Sequence, residues 1–215
     1  DEKNVKFFLK TDYQYKFLVE NNKPIENYFI NGEVDTKTKD VHLKVNDAVD
    51  VEIKDDIKIT ANDIGINIDE VANFYSDRNS TDEEKEKDKD ETNVYIDTKN
   101  CYIYLSENRH VISDTINFKY KNEVLSGELA HKNGRAVFNL KDSKFHLYGE
   151  NFNDEFMEKL FFLSKFKGGS LEFYINGLIK EYDGMVYVKE TTILDYKILN
   201  NILAFVNTVP SLVTF

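Results

Sequence analysis

The chain has 215 residues, of which 13% are aromatic, and a formal net charge of −11. This length and apolar content support one sizeable domain or two small ones. The acidic balance argues against nucleic acid as a partner and against docking on an anionic membrane surface, because both need clustered Lys and Arg. The single cysteine, Cys101, excludes an intrachain disulfide.

No signal-peptide pattern opens the chain, and no apolar run reaches the roughly 18 residues that a membrane span needs. Both ends start and stop within a pattern, so we expect a piece of a longer protein whose anchor lies outside this sequence.

Short runs of alternating polar and apolar residues dominate residues 1–78 and predict β-hairpins. The expected strand pairs are 5–10 with 13–20, 28–35 with 40–47, and 48–55 with 57–68. A short helix capped by Asp69 follows.

Residues 79–92 separate this upstream segment from a downstream module, 93–215. The run 79–91 contains no apolar residue and mixes both charge signs. We expect a solvated, disordered loop there, because nothing in it offsets the entropy cost of ordering. An acidic interaction segment is the alternative.

The alternation resumes in the downstream module. Strands are expected at 93–97, 101–105, 111–120, 124–130, 135–141, 144–149, 170–182 and 184–190. Residues 98–100 are expected to join the first two as a hairpin, and a turn at Asp183-Gly184 is expected to join the last two. Helices are expected near 154–166 and near 196–206. Asn153 is the predicted N-cap of the first helix, and Gly168-Gly169 is its predicted end.

One face of the downstream strands is apolar, and the other carries polar side chains such as Asn117, Lys119 and Glu128. This pattern is typical of an antiparallel sheet with one wet face. The apolar face must be covered by a second sheet, by helices, by closure of the sheet or by an apolar ligand. We therefore predict a mainly β fold, an antiparallel hairpin meander forming a curved, groove-like sheet with two or three short helices.

No catalytic motif appears in the sequence, neither a phosphate-binding loop nor a hydrolase or metalloprotease signature. The four histidines are scattered, and we expect them to be exposed strand or turn residues. Cys101 lies within an alternating strand, which favours a buried structural thiol over a nucleophile. We predict no catalytic residue, no metal and no cofactor. A carbohydrate-active enzyme would need two converging carboxylates, which a sequence with 39 acidic residues cannot single out.

The ending, "GGSLEFYINGLIKEYDGMVYVKETTILDYKILNNILAFVNTVPSLVTF", resembles the C-terminal module of the AsmA-like proteins, particularly the YhdP branch. Its features are the pair Gly168-Gly169 before a strand, a short added strand, and a final apolar helix. The entry to the preceding helix, with Gly149, Asn151, Phe156 and Leu160, is similar to the family pattern as well. The resemblance covers about residues 93–215 and extends weakly to 1–78.

The resemblance implies a long β-groove that spans the periplasm of Gram-negative cell envelopes, is anchored in the inner membrane, and conducts phospholipid towards the outer membrane. On this basis the chain is expected to be a non-enzymatic, periplasmic lipid-transfer segment. Its expected partners are phospholipid and, in the full-length protein, inner- and outer-membrane components. The expected groove lining is Phe118, Leu125, Leu129, Phe138, Leu140, Phe145, Leu147, Leu171, Phe173 and Ile175. The alternative is a structural or adhesive β-sandwich domain of the cell envelope with a dry core.

Overall fold

The computed structural model describes residues 4–67, 69–70, 73, 92–106, 109–161, 166–178 and 181–193. The charged run 79–91, the helix expected near 196–206 and most of the helix expected after Asp69 lie outside these residues.

Strands account for most of the described chain. In order they are β1 Asn4–Thr11, β2 Leu18–Glu20, β3 Lys23–Pro24, β4 Tyr28–Asp35, β5 Val41–Val45, β6 Val49–Ile53, β7 Ile57–Asn62, β8 Gly65–Asn67, β9 Val94–Lys99, β10 Tyr102–Ser106, β11 Arg109–Ile112, β12 Thr115–Lys121, β13 Val124–His131, β14 Gly134–Lys141, β15 Lys144–Phe152, β16 Phe166–Lys167, β17 Ser170–Leu178, β18 Glu181–Lys189 and β19 Thr192–Ile193. Helix α1, Asp154–Phe161, follows β15.

Twelve strands form one large curved sheet, in the order β1-β4-β5-β6-β7-β9-β12-β13-β14-β15-β17-β18. Its neighbours are antiparallel except for β7 and β9, which run parallel. The sheet is open, and β1 and β18 are its edges. The predicted mainly β, curved and largely antiparallel fold is confirmed.

A second, five-stranded sheet has the order β11-β10-β8-β2-β3. It contains two hairpins, β2–β3 and β10–β11, each of which leaves the large sheet after one strand and returns to it with the next; we call these hairpins excursions. Strand β8 lies between them, antiparallel to β2 and parallel to β10. A two-residue pairing of β16 with β19 completes the described strands.

These excursions overturn two predicted hairpins. Strand β1 pairs with β4 instead of residues 13–20, and β9 pairs with β7 and β12 instead of residues 101–105. The predicted strand 111–120 is two strands, which change sheets at Ser113-Asp114. There the Ser113 hydroxyl donates to the Cys101 carbonyl, so a side chain replaces the ladder hydrogen bond. The predicted pairing of 28–35 with 40–47 is confirmed by β4 and β5.

The predicted turn at Asp183-Gly184 is also wrong. Leu178 pairs with Glu181, and Gly184 lies within β18 opposite Ile175. Both connections place Val186 and Val188 on the inward face, because the two registers differ by an even number of residues, so alternation alone does not distinguish them.

Helix α1 begins as predicted and ends earlier. The Asn153 side-chain oxygen accepts a hydrogen bond from the Phe156 amide at 3.0 Å, which confirms the N-cap. The described part of the helix runs to Phe161, and Phe166, the last residue of the predicted helix, belongs to β16. Gly168 and Gly169, with φ of 68° and 88°, lead from β16 into β17 and do not end the helix directly.

The described chain uses the same connectivity twice. In the first unit β1 is followed by the β2–β3 excursion and then by β4 to β7, with β1 paired to β4. In the second unit β9 is followed by the β10–β11 excursion and then by β12 to β15, with β9 paired to β12. The parallel pair of β7 with β9 joins the two units within the large sheet.

Candidate functional site

The register of the large sheet aligns its inward side chains into three rows that cross all twelve strands. The middle row is Phe7, Gly32, Leu43, Val51, Ile59, Ile96, Phe118, Gly127, Phe138, Leu147, Ile175 and Gly184. The lower row is Val5, Val34, Val41, Ile53, Ile57, Val94, Tyr120, Leu125, Leu140, Phe145, Gly177 and Tyr182. The upper row is Leu9, Ile30, Val45, Val49, Ala61, Thr98, Ile116, Leu129, Ala136, Gly149, Phe173 and Val186. Apart from Thr98, every position is apolar, Tyr or Gly.

Glycines let aromatic rings lie flat on this face. A Cβ built on Gly32 would stand 2.1 Å from the Phe7 ring, and one on Gly127 would stand 2.6 Å from the Phe118 ring. Both distances are too short for a real side chain, so each ring occupies the space above the neighbouring strand's glycine. The floor of the apolar face is therefore smooth where Phe118 crosses β13.

The small sheet covers much of the upper row. Val49 and Ala61 pack with Ile64 and Cys101 in a buried group, here the Cys101 cluster, to which Leu18 and Ile25 add partly buried side chains. Cys101 is 1% exposed, and its Sγ lies 3.5 Å from the Ala61 carbonyl oxygen, so the predicted buried thiol is confirmed.

Helix α1 and strand β11 cover the end of the apolar face that is formed by β14, β15 and β17. The buried group, here the α1 cluster, consists of Val111, Ala136, Phe138, Phe145, Phe152, Phe156, Met157, Leu160, Leu171, Phe173 and Ile175. Phe152 stacks on Phe156 at 4.0 Å between ring centroids and on Phe173 at 5.8 Å. This end of the sheet is thus closed by the protein's own side chains.

The ten predicted lining residues divide between two environments. Phe138, Phe145, Leu171, Phe173 and Ile175 are buried members of the α1 cluster. The half-buried members are Phe118, Leu125, Leu129, Leu140 and Leu147, which pack against that cluster's margin. The structure places all ten on one face, and only the second group keeps solvent-accessible surface of any size.

The largest run of half-buried apolar positions shares only Phe118 and Leu125 with this second group and extends along the middle and lower rows from β4 to β13. We call this surface the trough, and it consists of Gly32, Val34, Val41, Leu43, Val51, Ile53, Ile57, Ile59, Val94, Ile96, Phe118, Leu125 and Gly127, together with the exposed Tyr120. Leu43, Ile57 and Ile96 belong to neither cluster of described residues. Most of the trough lies upstream of Phe118, where the sequence shows the same alternation but the family resemblance is weak.

The turns beside the lower row form a charged rim. It comprises residues 35–40, 54–56, 121–123 and 141–144, which carry six lysines and six acidic residues. Asp35 accepts hydrogen bonds from the Lys37 and Thr38 amides, which lower the pKa of its carboxyl and hold its turn in shape. The rim offers both charge signs next to the apolar rows.

The outer face of the sheet is mainly polar over its middle strands, and near the two edges it carries exposed aromatic or apolar side chains, which are Phe8, Phe29, Tyr148, Tyr174, Met185 and Tyr187. Arg135 donates to both carboxylate oxygens of Glu128, at 2.7 and 3.1 Å, and this pairing raises the pKa of Arg135. His42 and His146 are exposed on this face, as expected.

The other two histidines differ from the expectation. His131 is buried, with its ring 5.8 Å from Phe156, because β13 ends beneath α1. His110 of β11 is half-buried, and burial, followed by the charge of Lys159, lowers its pKa.

Among the described residues, no three His, Cys, Asp or Glu side chains converge as metal ligands would. Within the same residues, no helix has the length and apolarity to cross a membrane. Comparison with known proteins gave no matching family model, and no curated protein or solved structure is significantly similar to the chain.

Proposed function

We propose that this chain is a non-enzymatic lipid-transfer segment of the periplasm, which holds phospholipid acyl chains along the trough. The observation that carries the proposal is the pair of rows, apolar apart from Tyr120 and its hydroxyl, that stay half-buried or exposed across seven neighbouring strands. A folded chain that leaves so long a line of apolar side chains accessible is expected to use it for binding.

The dimensions of the trough suit hydrocarbon. Seven strands from β4 to β13, about 4.8 Å apart, give a length of about 29 Å, enough for an extended acyl chain. The two rows lie two residues apart along each strand, or about 7 Å, which is wide enough for one or two chains side by side.

The rim provides a place for head groups. Lysines at the turns can face a phosphate, and the acidic residues beside them can face an ammonium group. Because the signs are balanced, we expect zwitterionic phospholipid to be favoured over strongly anionic lipid. Head groups at this rim stay in water, so no desolvated ion pair is needed.

Binding would be driven by burial of apolar surface, at about 25 cal/mol per Å² before entropic losses. Two neighbouring substitutions test this on the same strand. Ile96→Asn places an amide in the middle row, whereas Asp97→Asn places the same side chain on the outer face. Leu43→Asn and Lys44→Asn form the same contrast on β5.

Native mass spectrometry of the chain mixed with phosphatidylethanolamine measures the outcome. We expect lipid adducts on the wild type and on Asp97→Asn and Lys44→Asn, and an affinity about tenfold lower for each trough variant, or about 1.4 kcal/mol. Circular dichroism establishes that each variant is folded. If folded trough variants bind as well as their outer-face controls, or if the wild type binds no lipid, the proposal fails.

The alternative, a structural or adhesive domain, is favoured by one observation. Half of the residues expected to line a groove are sealed in the α1 cluster. This alternative predicts that Ile96→Asn and Asp97→Asn differ only in stability and that neither form binds lipid.

A further inference from the structure

Strand β1 exposes apolar side chains on both faces of the large sheet. Val5, Phe7 and Leu9, on the inward face, are 53%, 41% and 48% exposed, and Phe8, on the outer face, is 63% exposed. Among the described strands β1 pairs only with β4, so its other edge has no strand beside it. An apolar edge strand of eight residues is a template for strand addition.

The repeated connectivity identifies the strand within the same molecule that is equivalent to β1. Strand β9 opens the second unit as β1 opens the first, and its inward residues Val94, Ile96 and Thr98 match Val5, Phe7 and Leu9 by row. Val94 and Ile96 are half-buried and Thr98 is buried, in contrast to the exposed side chains of β1.

The two strands differ in the neighbour on one side. On one side both strands have an antiparallel partner, β4 for β1 and β12 for β9. On the other side β9 is covered by β7, which runs parallel and places Ile57, Ile59 and Ala61 beside the three inward residues. In the second unit, the edge equivalent to the free edge of β1 is therefore covered by a parallel strand with alternate apolar residues.

We propose that the free edge of β1 is a docking edge for an extended polypeptide segment that runs parallel to β1 and carries apolar residues at alternate positions, as β7 does. The segment extends all three apolar rows by one strand, because alternation keeps its apolar side chains on the inward face. The backbone of the docked segment forms hydrogen bonds with the amide and carbonyl groups of β1 that point away from β4.

A second copy of the chain is a poorer occupant. The free strand that a copy could offer in the parallel orientation is β18, whose inward residues are Tyr182, Gly184 and Val186. The Phe7 ring already lies over Gly32 of β4, so Gly184 would add no side chain on its free side, whereas β7 offers Ile59 at the equivalent position.

The test supplies a strand of known sequence. The segment 55–63, DDIKITAND, is fused ahead of β1 through a flexible linker of about 20 Gly and Ser residues, long enough for a parallel crossover. A second fusion replaces residues 1–3 with Asn-Gly, which permits only an antiparallel hairpin. A third keeps the long linker but exchanges the residues at 57 and 58, so that the apolar side chains no longer alternate.

Hydrogen exchange of the β1 amides is the readout, with no lipid present. We expect the long-linker fusion to slow hydrogen exchange at least tenfold for the β1 amides that point away from β4. The third fusion, with residues 57 and 58 exchanged, should leave their exchange rates unchanged. Leu9→Lys within the long-linker fusion should abolish the protection, while the same change in the unfused chain, at an exposed position, leaves the unfolding midpoint nearly unchanged.

Three results would overturn the inference. One is equal or greater protection by the hairpin fusion, which would make the edge an antiparallel one. Another is no protection by any fusion. The third is a concentration-dependent dimer of the unfused chain, seen by sedimentation velocity and lost in Leu9→Lys, which would assign the edge to a second copy. None of these experiments contains lipid. A failure of the docking-edge proposal is therefore distinguishable from a failure of the lipid-transfer proposal.

Discussion

At the scale of single residues, contacts between phenylalanine and glycine on adjacent strands shape the apolar face. Phe118 lies over Gly127 in the trough, and Phe173 lies over Gly149 in the α1 cluster. A ring that lies flat keeps the face shallow, and its neighbour must be glycine, because a Cβ would occupy the same space. The glycines of these strands thus serve close packing and not chain flexibility.

Gly149→Ala tests this contact where it is buried. A Cβ on Gly149 would stand 2.2 Å from the ring of Phe173, which is 5% exposed and cannot move away. We expect a loss of about 1–3 kcal/mol in the free energy of unfolding, measured by urea denaturation. The control is Gly184→Ala on β18, where a Cβ would stand 3.2 Å from the Ile175 side chain and 3.2 Å from the Tyr174 carbonyl oxygen, a tight contact without overlap, and the expected loss is below about 1 kcal/mol. Equal losses in the two variants would show that the flat ring is not a constraint.

Alternation in the sequence predicts which face each of these residues occupies, because successive side chains of a strand point to opposite sides. It does not predict which inward residues are sealed. Phe138 and Phe118 occupy equivalent places in the pattern, yet Phe138 is 6% exposed in the α1 cluster and Phe118 is half-buried in the trough. The difference comes from α1 and β11, which reach Phe138 only through the tertiary fold.

At the scale of elements, α1 is the described helix that closes one end of the apolar face. The sequence predicts its start well, because the Asn153 cap and the acids after it are local signals. Its end is harder to predict, since Phe166 continues the helical spacing but pairs with Ile193 through its backbone in β16. The predicted hairpins at β1 and β9 fail for a similar reason. Local alternation identifies a strand, whereas only tertiary packing decides which sheet it joins.

The contact of α1 with β11 should make stability depend on pH through His110. Burial, with the charge of Lys159 as a lesser cause, lowers the pKa of His110 below its usual value of 6.5. The unfolded chain therefore binds a proton at this histidine at a higher pH than the folded chain does. The free energy of unfolding falls as the pH drops below about 6.5.

We expect His110→Gln to lose less stability than the wild type when urea denaturation is moved from pH 7.5 to pH 5.5. His146→Gln is the control, because it removes an exposed imidazole on the outer face. It measures how far the loss of stability between pH 7.5 and pH 5.5 changes when any histidine is removed. Identical pH slopes for the wild type and His110→Gln would contradict a neutral, desolvated histidine at this contact.

At the scale of the whole molecule, two units of like connectivity share one sheet and one apolar face. The small sheet covers much of the upper row and α1 covers one end of the face, which leaves the trough and the inward side chains of β1 as its accessible parts. Composition and alternation are enough to predict the fold class. The duplication is not visible as a sequence repeat of fixed length, because the units share pairing and not residue identities.

The central claim is that the trough, and not the α1 cluster or the outer face, holds acyl chains. Photo-cross-linking with a phosphatidylethanolamine that carries a diazirine in mid-chain tests it most directly, with the adducts mapped by peptide mass spectrometry. The account predicts adducts on β5, β6, β7 and β9, at inward positions such as Leu43, Ile57 and Ile96, and none on Phe145 or Ile175. Adducts confined to the outer face, or no adducts under any lipid load, would contradict it.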